Sequence, residues 1–519
     1  MNGNLEIWIV FAGLCLMMGM LIADWLRPGF VLFSGVVLFM CTGVLSPQEV
    51  LAGFANEGVI TVGLLFLVSE GVRRSNALGH LVRWLLPVRN GMTVRKGYLR
   101  ILPSIASVSA FLNNTPVVVV FIPIIRQWAR RCGLATRKFL IPLSYAAILG
   151  GMCTLIGTST NLVVHGMMLD AGFDGFSMFE LGKVGACIAL VGMLYLYLCA
   201  DKRLPGDDGA GEAPRKDPDT TVEAVLGPRF PGINRPLAEF DFKSHYGAEI
   251  RAVHRNGVEL EQLRSVVFRA GDTLVLNTDG SFIETWGDSR VFLMLSNGSE
   301  HATRAPRWKK WLALALLVVM IAGATFGSMP FMADLLPGMQ LDMFFWVCIV
   351  AVLMAFFGIF PAKKYTKYIS WDILITIAAA LGISRAMVNS GLADRIAAGL
   401  TGLSGVASPW IVLAVLYITT NLITEFITNN AAAAFAFPVA LSSATQLGMD
   451  PMPFFVAICI AASCSFSSPI GYQTNMIVQG IGNYRFRDFV RIGLPLNAIA
   501  FAVSMILIPL FWPFETGIA

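Results

Sequence analysis

The sequence predicts an all-α polytopic membrane protein made of two inverted repeats, each with a re-entrant helical hairpin and a broken helix, plus a small α/β domain inserted between them. Three observations carry that prediction. Of 519 residues, 56% are hydrophobic and 14% charged, whereas soluble globular chains are roughly 25% charged. The charge is also unevenly placed: residues 201–310 hold 16 of the 38 Lys+Arg and 17 of the 33 Asp+Glu. Finally, the same kinds of polar motif interrupt apolar segments twice, in the same order.

A spanning helix needs about 20 mostly apolar residues. Such segments lie near 6–25, 29–45, 57–72, 139–169, 179–200, 308–328, 342–360, 371–389, 453–480 and 492–513, and two further apolar stretches run over 101–125 and 409–446. No basic residue precedes the first run and no small-residue cleavage site follows it, so it reads as a span rather than a removed signal peptide.

Positive charge sets orientation. The loop 73–100 carries seven Lys/Arg and no acid, and the loop 126–138 carries five and no acid. Both are expected on the cytoplasmic side, so the stretch 101–125 must enter and leave on that side. Asn113-Asn114-Thr115-Pro116 in its middle supplies the turn, leaving arms of about 12 residues, too short to cross. Lys363, Lys364, Lys367, Arg485, Arg487 and Arg491 mark later cytoplasmic loops, while the loops at Asp170 and Asp174, Asp334 and Asp450 lack Lys/Arg. This pattern puts both termini in the periplasm of a bacterial inner membrane and residues 201–307 in the cytoplasm.

The repeats follow from the motifs. Ser109 to Thr115 is echoed by Glu425 to Ala431, and a one-residue shift that places Thr428-Asn429-Asn430 at the second tip fits as well. Further on, Gly157-Thr158-Ser159-Thr160-Asn161 is echoed by Gly471-Tyr472-Gln473-Thr474-Asn475. Residues 1–200 thus form the first repeat, 201–219 a Gly/Pro-rich linker, 220–300 the inserted domain and 301–519 the second repeat. Each repeat runs as three spans, a hairpin, a broken span and a final span. The odd number of crossings inverts the second.

Paired broken segments point to an alternating-access transporter with a midplane site. Interrupted helices at membrane depth are tolerated where they line a cavity or are buried in protein. Their N-termini present N–H groups and partial positive charge to an anion, and Asn, Ser and Thr oxygens with freed carbonyls can ligate sodium. Neither motif pair contains Lys or Arg, so an anion would be held by dipoles, amides and bound cations. Glu425 is an acid within an apolar stretch, a placement that suits proton or cation coupling or a structural hydrogen bond.

At these residues the chain resembles the divalent anion/sodium symporter family of the ion transporter superfamily, over essentially its whole membrane portion. The resemblance implies that Ser109, Asn113, Asn114 and Gly157 line one sodium site, and Glu425, Asn429, Asn430 and Gly471 the pseudo-symmetric one. It implies that the anion faces Asn113, Asn114, Thr115, Thr158, Ser159, Thr160, Asn161, Asn429, Asn430, Tyr472, Gln473, Thr474 and Asn475. The family's Ser-Asn-Thr tips and Pro-Pro breaks are altered here. Asn replaces the first Ser, and Ala431 stands where a Thr is usual. The branch with these variants points to sulfate and related anions. The expected function is therefore sodium-coupled symport of a divalent or small anion such as sulfate by alternating access, with a homodimer implied by the family. A dicarboxylate/sodium symporter, a sodium/proton antiporter using Glu425, and a ligand-regulated channel stand as alternatives.

The inserted domain alternates like strands at 248–255 and 272–276, with a turn at Arg269-Ala270-Gly271-Asp272. It resembles a TrkA-C type module, which implies either regulation by a small molecule or an assembly role. No Gly-rich phosphate loop is present, and His245 and His254 are isolated. The nine Cys are scattered without CxxC spacing, so metal, disulfide or other cofactor chemistry is not expected beyond the coupling ion, sodium or a proton. No nucleophile–base pair suggests an enzyme, and no basic patch outside short membrane loops suggests nucleic acid.

Overall fold

The computed structural model describes the chain except residues 1–2, 24–25, 76–91, 207–220, 228, 256–257, 261–262, 264–265, 279–281, 283–285, 287–290, 297–305, 328–340, 403–407 and 516–519. The loop around Asp334 and most of the expected linker lie outside the described residues, as does the middle of the basic loop 73–100.

The first half contains α1 (Gly3–Ile22), α2 (Pro28–Cys41), α3 (Pro47–Phe54), α4 (Glu57–Arg74), α5 (Val94–Ser109), α6 (Asn114–Arg131), α7 (Arg137–Gly151), α8 (Ser159–Asp170) and α9 (Gly182–Arg203). The second contains α11 (Arg307–Gly327), α12 (Met343–Phe356), α13 (Trp371–Asn389), α14 (Leu392–Gly402), α15 (Pro409–Phe426), α16 (Asn429–Leu447), α17 (Met452–Ser463), α18 (Gln473–Gly482) and α19 (Phe486–Phe511). Among the described residues seven helical segments are long and apolar enough to cross a membrane.

Two helical hairpins occur where the sequence placed them. The first, α5–α6, has arms of 16 and 18 residues, about 24 and 27 Å at 1.5 Å per residue. The arms are longer than the expected 12 because the helices continue through the basic flanks: Arg95, Lys96 and Arg100 extend one arm, and Arg126, Arg130 and Arg131 the other. The turn is Ala110–Asn113, and Pro116 lies inside α6 rather than in the turn. A proline is tolerated in a first helical turn, where its missing N–H has no intrahelical partner. The second hairpin, α15–α16, turns at Ile427–Thr428. The two broken spans are α7–α8, interrupted over 152–158, and α17–α18, interrupted over 464–472. Two short helices were not anticipated: α3 carries a Ser46–Glu49 capping box, and α14 packs on the second hairpin.

The packing explains how the interruptions meet. In each half the first hairpin arm lies against the first half of the broken span, α5 on α7 and α15 on α17. The second arms cross over: α6 packs on α18 and α16 on α8. Each hairpin tip therefore lies between its own half's break and the other half's.

The inserted unit is an antiparallel sheet of order β3-β2-β4-β1-β5, with β1 (Thr221–Leu226), β2 (Glu249–Arg255), β3 (Val258–Glu259), β4 (Thr273–Asn277) and β5 (Phe292–Ser296), and a short α10 (Phe242–Tyr246). Gly271, at φ +89°, makes the turn into β4. Side chains alternate faces along a strand. Val222, Ala224 and Leu226 join Phe230, Phe240, Phe268 and Phe292 in the unit's own core, while Val225 packs into the helical core. The unit seats on two site-bearing helices. Arg126 of α6 pairs with Glu223 of β1 at 2.7 Å, and Gly480 of α18 leaves no room for a side chain beside Thr273 and Gly271.

Candidate functional site

The site is built where α6, α8, α16 and α18 begin. None of the four N-cap residues, Asn113, Thr158, Thr428 and Tyr472, makes a side-chain cap bond. An uncapped helix start leaves backbone N–H groups to find other partners, and the aligned peptide dipoles add partial positive charge.

The side chains around these starts bond across the two halves. Ser109 Oγ donates to Asn114 Oδ1 at 2.6 Å. Asn114 Nδ2 in turn donates to the Tyr472 hydroxyl, which lies 3.1 Å from Thr158 Oγ1. Thr115 Oγ1 reaches Gln473 Oε1 at 3.4 Å. On the other side, Ser159 Oγ and Thr160 Oγ1 reach Asn430 Oδ1 at 3.2 and 3.3 Å. Tyr472 thus joins the first hairpin to both breaks, and Asn430 joins the second hairpin to the first break.

Each break is held by an asparagine. Asn161 Nδ2 donates to Thr154 O at 2.7 Å and Gly151 O at 3.2 Å, and Asn475 Nδ2 donates to Ser468 O at 3.1 Å and Ser465 O at 2.9 Å. Freed carbonyls buried away from water need such donors. The acceptor ends are met from the opposite half: Cys459 Sγ donates to Asn161 Oδ1 at 3.2 Å, and Ser144 Oγ to Asn475 Oδ1 at 2.7 Å. Gly157 sits so close to its own break that a Cβ would lie 2.5 Å from Gly151 O. At Gly471 a Cβ would run into Ser465 Oγ and Thr424 O.

These bonds decide the register of the repeat. Ser109 meets Asn114 as Thr424 meets Asn429, at 2.9 Å. Asn113-Asn114-Thr115 therefore corresponds to Thr428-Asn429-Asn430, the shifted alternative, and the counterpart of Ser109 is Thr424 rather than Glu425. Thr424 was legible in principle, since it precedes Asn429 by the same five residues that separate Ser109 from Asn114. Ser144, Thr154 and Asn497 were also missed; each is an isolated polar residue in an apolar run, with partners far away in sequence.

Of the expected site residues, the structure gathers Ser109, Asn114, Thr115, Gly157, Thr158, Ser159, Thr160, Asn429, Asn430, Gly471, Tyr472 and Gln473 around the two tips. Asn113 stands at the uncapped N-cap position of α6 and is half-buried. Asn161, Thr474 and Asn475 are buried in the framework behind the tips. Glu425 faces the second break, where Phe466 N, Ser467 N and Asn497 Nδ2 donate to its Oε1. A cavity of about 270 Å³ lined by Glu57, His165, Asp174, Glu180 and Asp342 includes none of these motif residues. Among the described residues no group of three or more His, Cys, Asp or Glu is arranged to hold a metal.

Paired interruptions converging inside a multi-span helical protein are an arrangement found in many membrane transporters. The family model of citrate transporters (CitMHS) matches residues 18–458 and 341–515, and the chain belongs to that family. This agrees with the resemblance to the divalent anion/sodium symporters of the ion transporter superfamily. An uncharacterized transporter of Synechocystis, sll0640, is 28% identical over 95% of this chain and 95% of its own length. A probable sodium/sulfate cotransporter 3 of Chlamydomonas reinhardtii is 23% identical over 92% of this chain and 85% of its own. The crystal structure of the YdaH transporter of Alcanivorax borkumensis shares the fold with a TM-score of 0.50 at 12% identity, covering 89% of this chain and 87% of that one.

Proposed function

We propose that this protein is a sodium-coupled symporter of a small divalent anion, with sulfate the first candidate, working by alternating access between two inverted halves. The observation that carries the reading is the convergence of four helix N-termini without side-chain caps, a place where backbone N–H groups and helix dipoles favour an anion. No Lys or Arg stands in the paired motifs, so bound cations would supply the compensating charge. Ser109, Asn114 and Gly157 form one candidate sodium site and Thr424, Asn429 and Gly471 its counterpart. Thr115, Thr158, Ser159, Asn430, Tyr472 and Gln473 would face the anion. Their hydroxyls and amides bond to one another across the two halves, and a bound anion would draw on the same donors. A carboxylate substrate is the second reading, favoured by the family's citrate transporters.

The basic flanks of the first hairpin support an inner-membrane orientation with both termini periplasmic and the sheet unit cytoplasmic. A homodimer fits the family resemblance. We further propose that the sheet unit is a TrkA-C type regulator acting on transport through its seat on α6 and α18, which carry site residues at their other ends.

The deciding experiment is uptake of labelled sulfate, succinate and citrate into proteoliposomes, each with and without an inward sodium gradient. Sodium-driven uptake of sulfate is expected. Uptake of only a carboxylate would overturn the sulfate assignment, and uptake unaffected by sodium would overturn the coupling. Asn114→Ala and Asn430→Ala should each abolish uptake while the protein still inserts; normal uptake in both would remove these tips from the site.

A further inference from the structure

We infer that Glu425 is a positioning residue that staples the second break to its hairpin, and that its charge is not the coupling group. The inference rests on the transport reading above but assigns a residue that reading leaves open. Glu425 ends the first arm of the second hairpin and is buried, 7% exposed. Its Oε1 accepts from Phe466 N at 3.1 Å, from Ser467 N at 2.9 Å and from Asn497 Nδ2 at 2.6 Å. Its Oε2 lies 3.4 Å from Ser465 Oγ. All four donors are protein groups, and three belong to the interruption itself. Asn497 comes from α19 and also donates to Ser467 Oγ at 2.9 Å, so it ties the last helix into the same knot. Three donors on one carboxylate oxygen leave that atom no free lone pair for a cation.

The first half shows that this position needs no charge. With Thr424 equivalent to Ser109, the residue matching Glu425 is Ala110. Its backbone oxygen accepts from the Thr154 hydroxyl, and Thr154 belongs to the first break. The same join, hairpin end to break, is made there by a neutral hydroxyl and a carbonyl. In the second half the Ser465 hydroxyl also reaches the hairpin end, at Thr424 O, but the break presents in addition the Phe466 and Ser467 N–H groups, and a side-chain acceptor, Glu425, has to reach them. A glutamine can do the same: its Oε1 accepts as a carboxylate oxygen does, and its shape is unchanged.

The test compares Glu425→Gln, Glu425→Ala and Asn497→Asp with the wild type. The readouts are the maximal rate of anion uptake, the sodium concentration for half-maximal uptake, and thermal unfolding of the solubilised protein. As a staple, Glu425→Gln keeps uptake within about fivefold, since a neutral acceptor is weaker than a charged one by about that margin, and it leaves the sodium requirement unchanged. Glu425→Ala loses about 100-fold in rate through misplaced site groups and unfolds at lower temperature. Asn497→Asp, which sets two carboxylates face to face, fails like the alanine variant. If Glu425→Gln folds like the wild type yet is as inactive as Glu425→Ala, or needs far more sodium, the charge is the functional element and the inference is overturned. If the wild type transports none of the anions, the transport reading fails. The unfolding temperatures then still decide the staple: Gln level with wild type and Ala below it supports it, Gln falling with Ala refutes it.

Discussion

The two halves of the membrane portion hold the same arrangement with different chemistry. In the first, the Ser109 hydroxyl closes the hairpin turn on Asn114, and the Thr154 hydroxyl joins the break to the hairpin end at Ala110 O. In the second, a buried carboxylate gathers two backbone N–H groups and an asparagine amide. The interruptions also differ in length, 152–158 against 464–472. Both halves nevertheless share a glycine pressed against the break and an asparagine that closes it. The difference teaches that backbone proximity defines the shape, while the polar groups that satisfy it are free to vary, provided every buried donor and acceptor finds a partner.

The sharpest way to break that comparison is at the glycines. Gly471→Ala would drive a methyl group into Ser465 Oγ and Thr424 O, and Gly157→Ala would place one 2.5 Å from Gly151 O. Backbone on the receiving side cannot yield as a side chain can. Each variant should lose about 100-fold in uptake and about 1–3 kcal/mol of stability, measured by proteoliposome uptake and thermal unfolding. A variant with normal uptake would show that close approach in that half is dispensable.

A smaller effect is expected at the asparagines. Asn161→Ala and Asn475→Ala each strip the donor from two freed carbonyls, at a cost of about 1–3 kcal/mol for a buried group left unsatisfied. The comparison is sharpened if both lower the unfolding temperature alike, and broken if one half tolerates the change.

The smallest effect lies outside the spans. A double-mutant cycle on Arg126→Ala and Glu223→Ala should return a coupling of about 1 kcal/mol or less, because the pair is partly exposed, with side chains 14% and 20% accessible. If the sheet unit governs transport through this seat, both single variants and the double should change the uptake rate equally. Independent effects would remove the ion pair from any such linkage.

The interrupted segments were readable from sequence because charge and apolarity act locally. Basic flanks on both sides of 101–125 demanded a hairpin, and Asn-Asn-Thr or Gly-Tyr-Gln-Thr-Asn in apolar surroundings demanded a break. The hairpin's true extent was not readable, since Arg95, Lys96, Arg126 and Arg130 are good helix formers that continue the arms beyond the apolar stretch. The seat of the sheet unit was hidden too. The outward-facing Val225 looks like any strand residue until α18 is packed on it.

By itself the sequence determined that this chain is a multi-span helical membrane protein, where its helices are interrupted, and that strands occur between its two sets of membrane helices. These follow from hydropathy, charge placement and local backbone chemistry, which act over a few residues. Only the tertiary structure decided which residues answer one another: Asn114 with Tyr472, Ser144 with Asn475, Glu425 with Asn497. It also decided the register between the halves, pairing Ser109 with Thr424. Those pairings depend on the crossing of α6 over α18 and of α16 over α8. A buried polar group takes whatever partner the packing brings within reach, and sequence distance places no limit on which one that is.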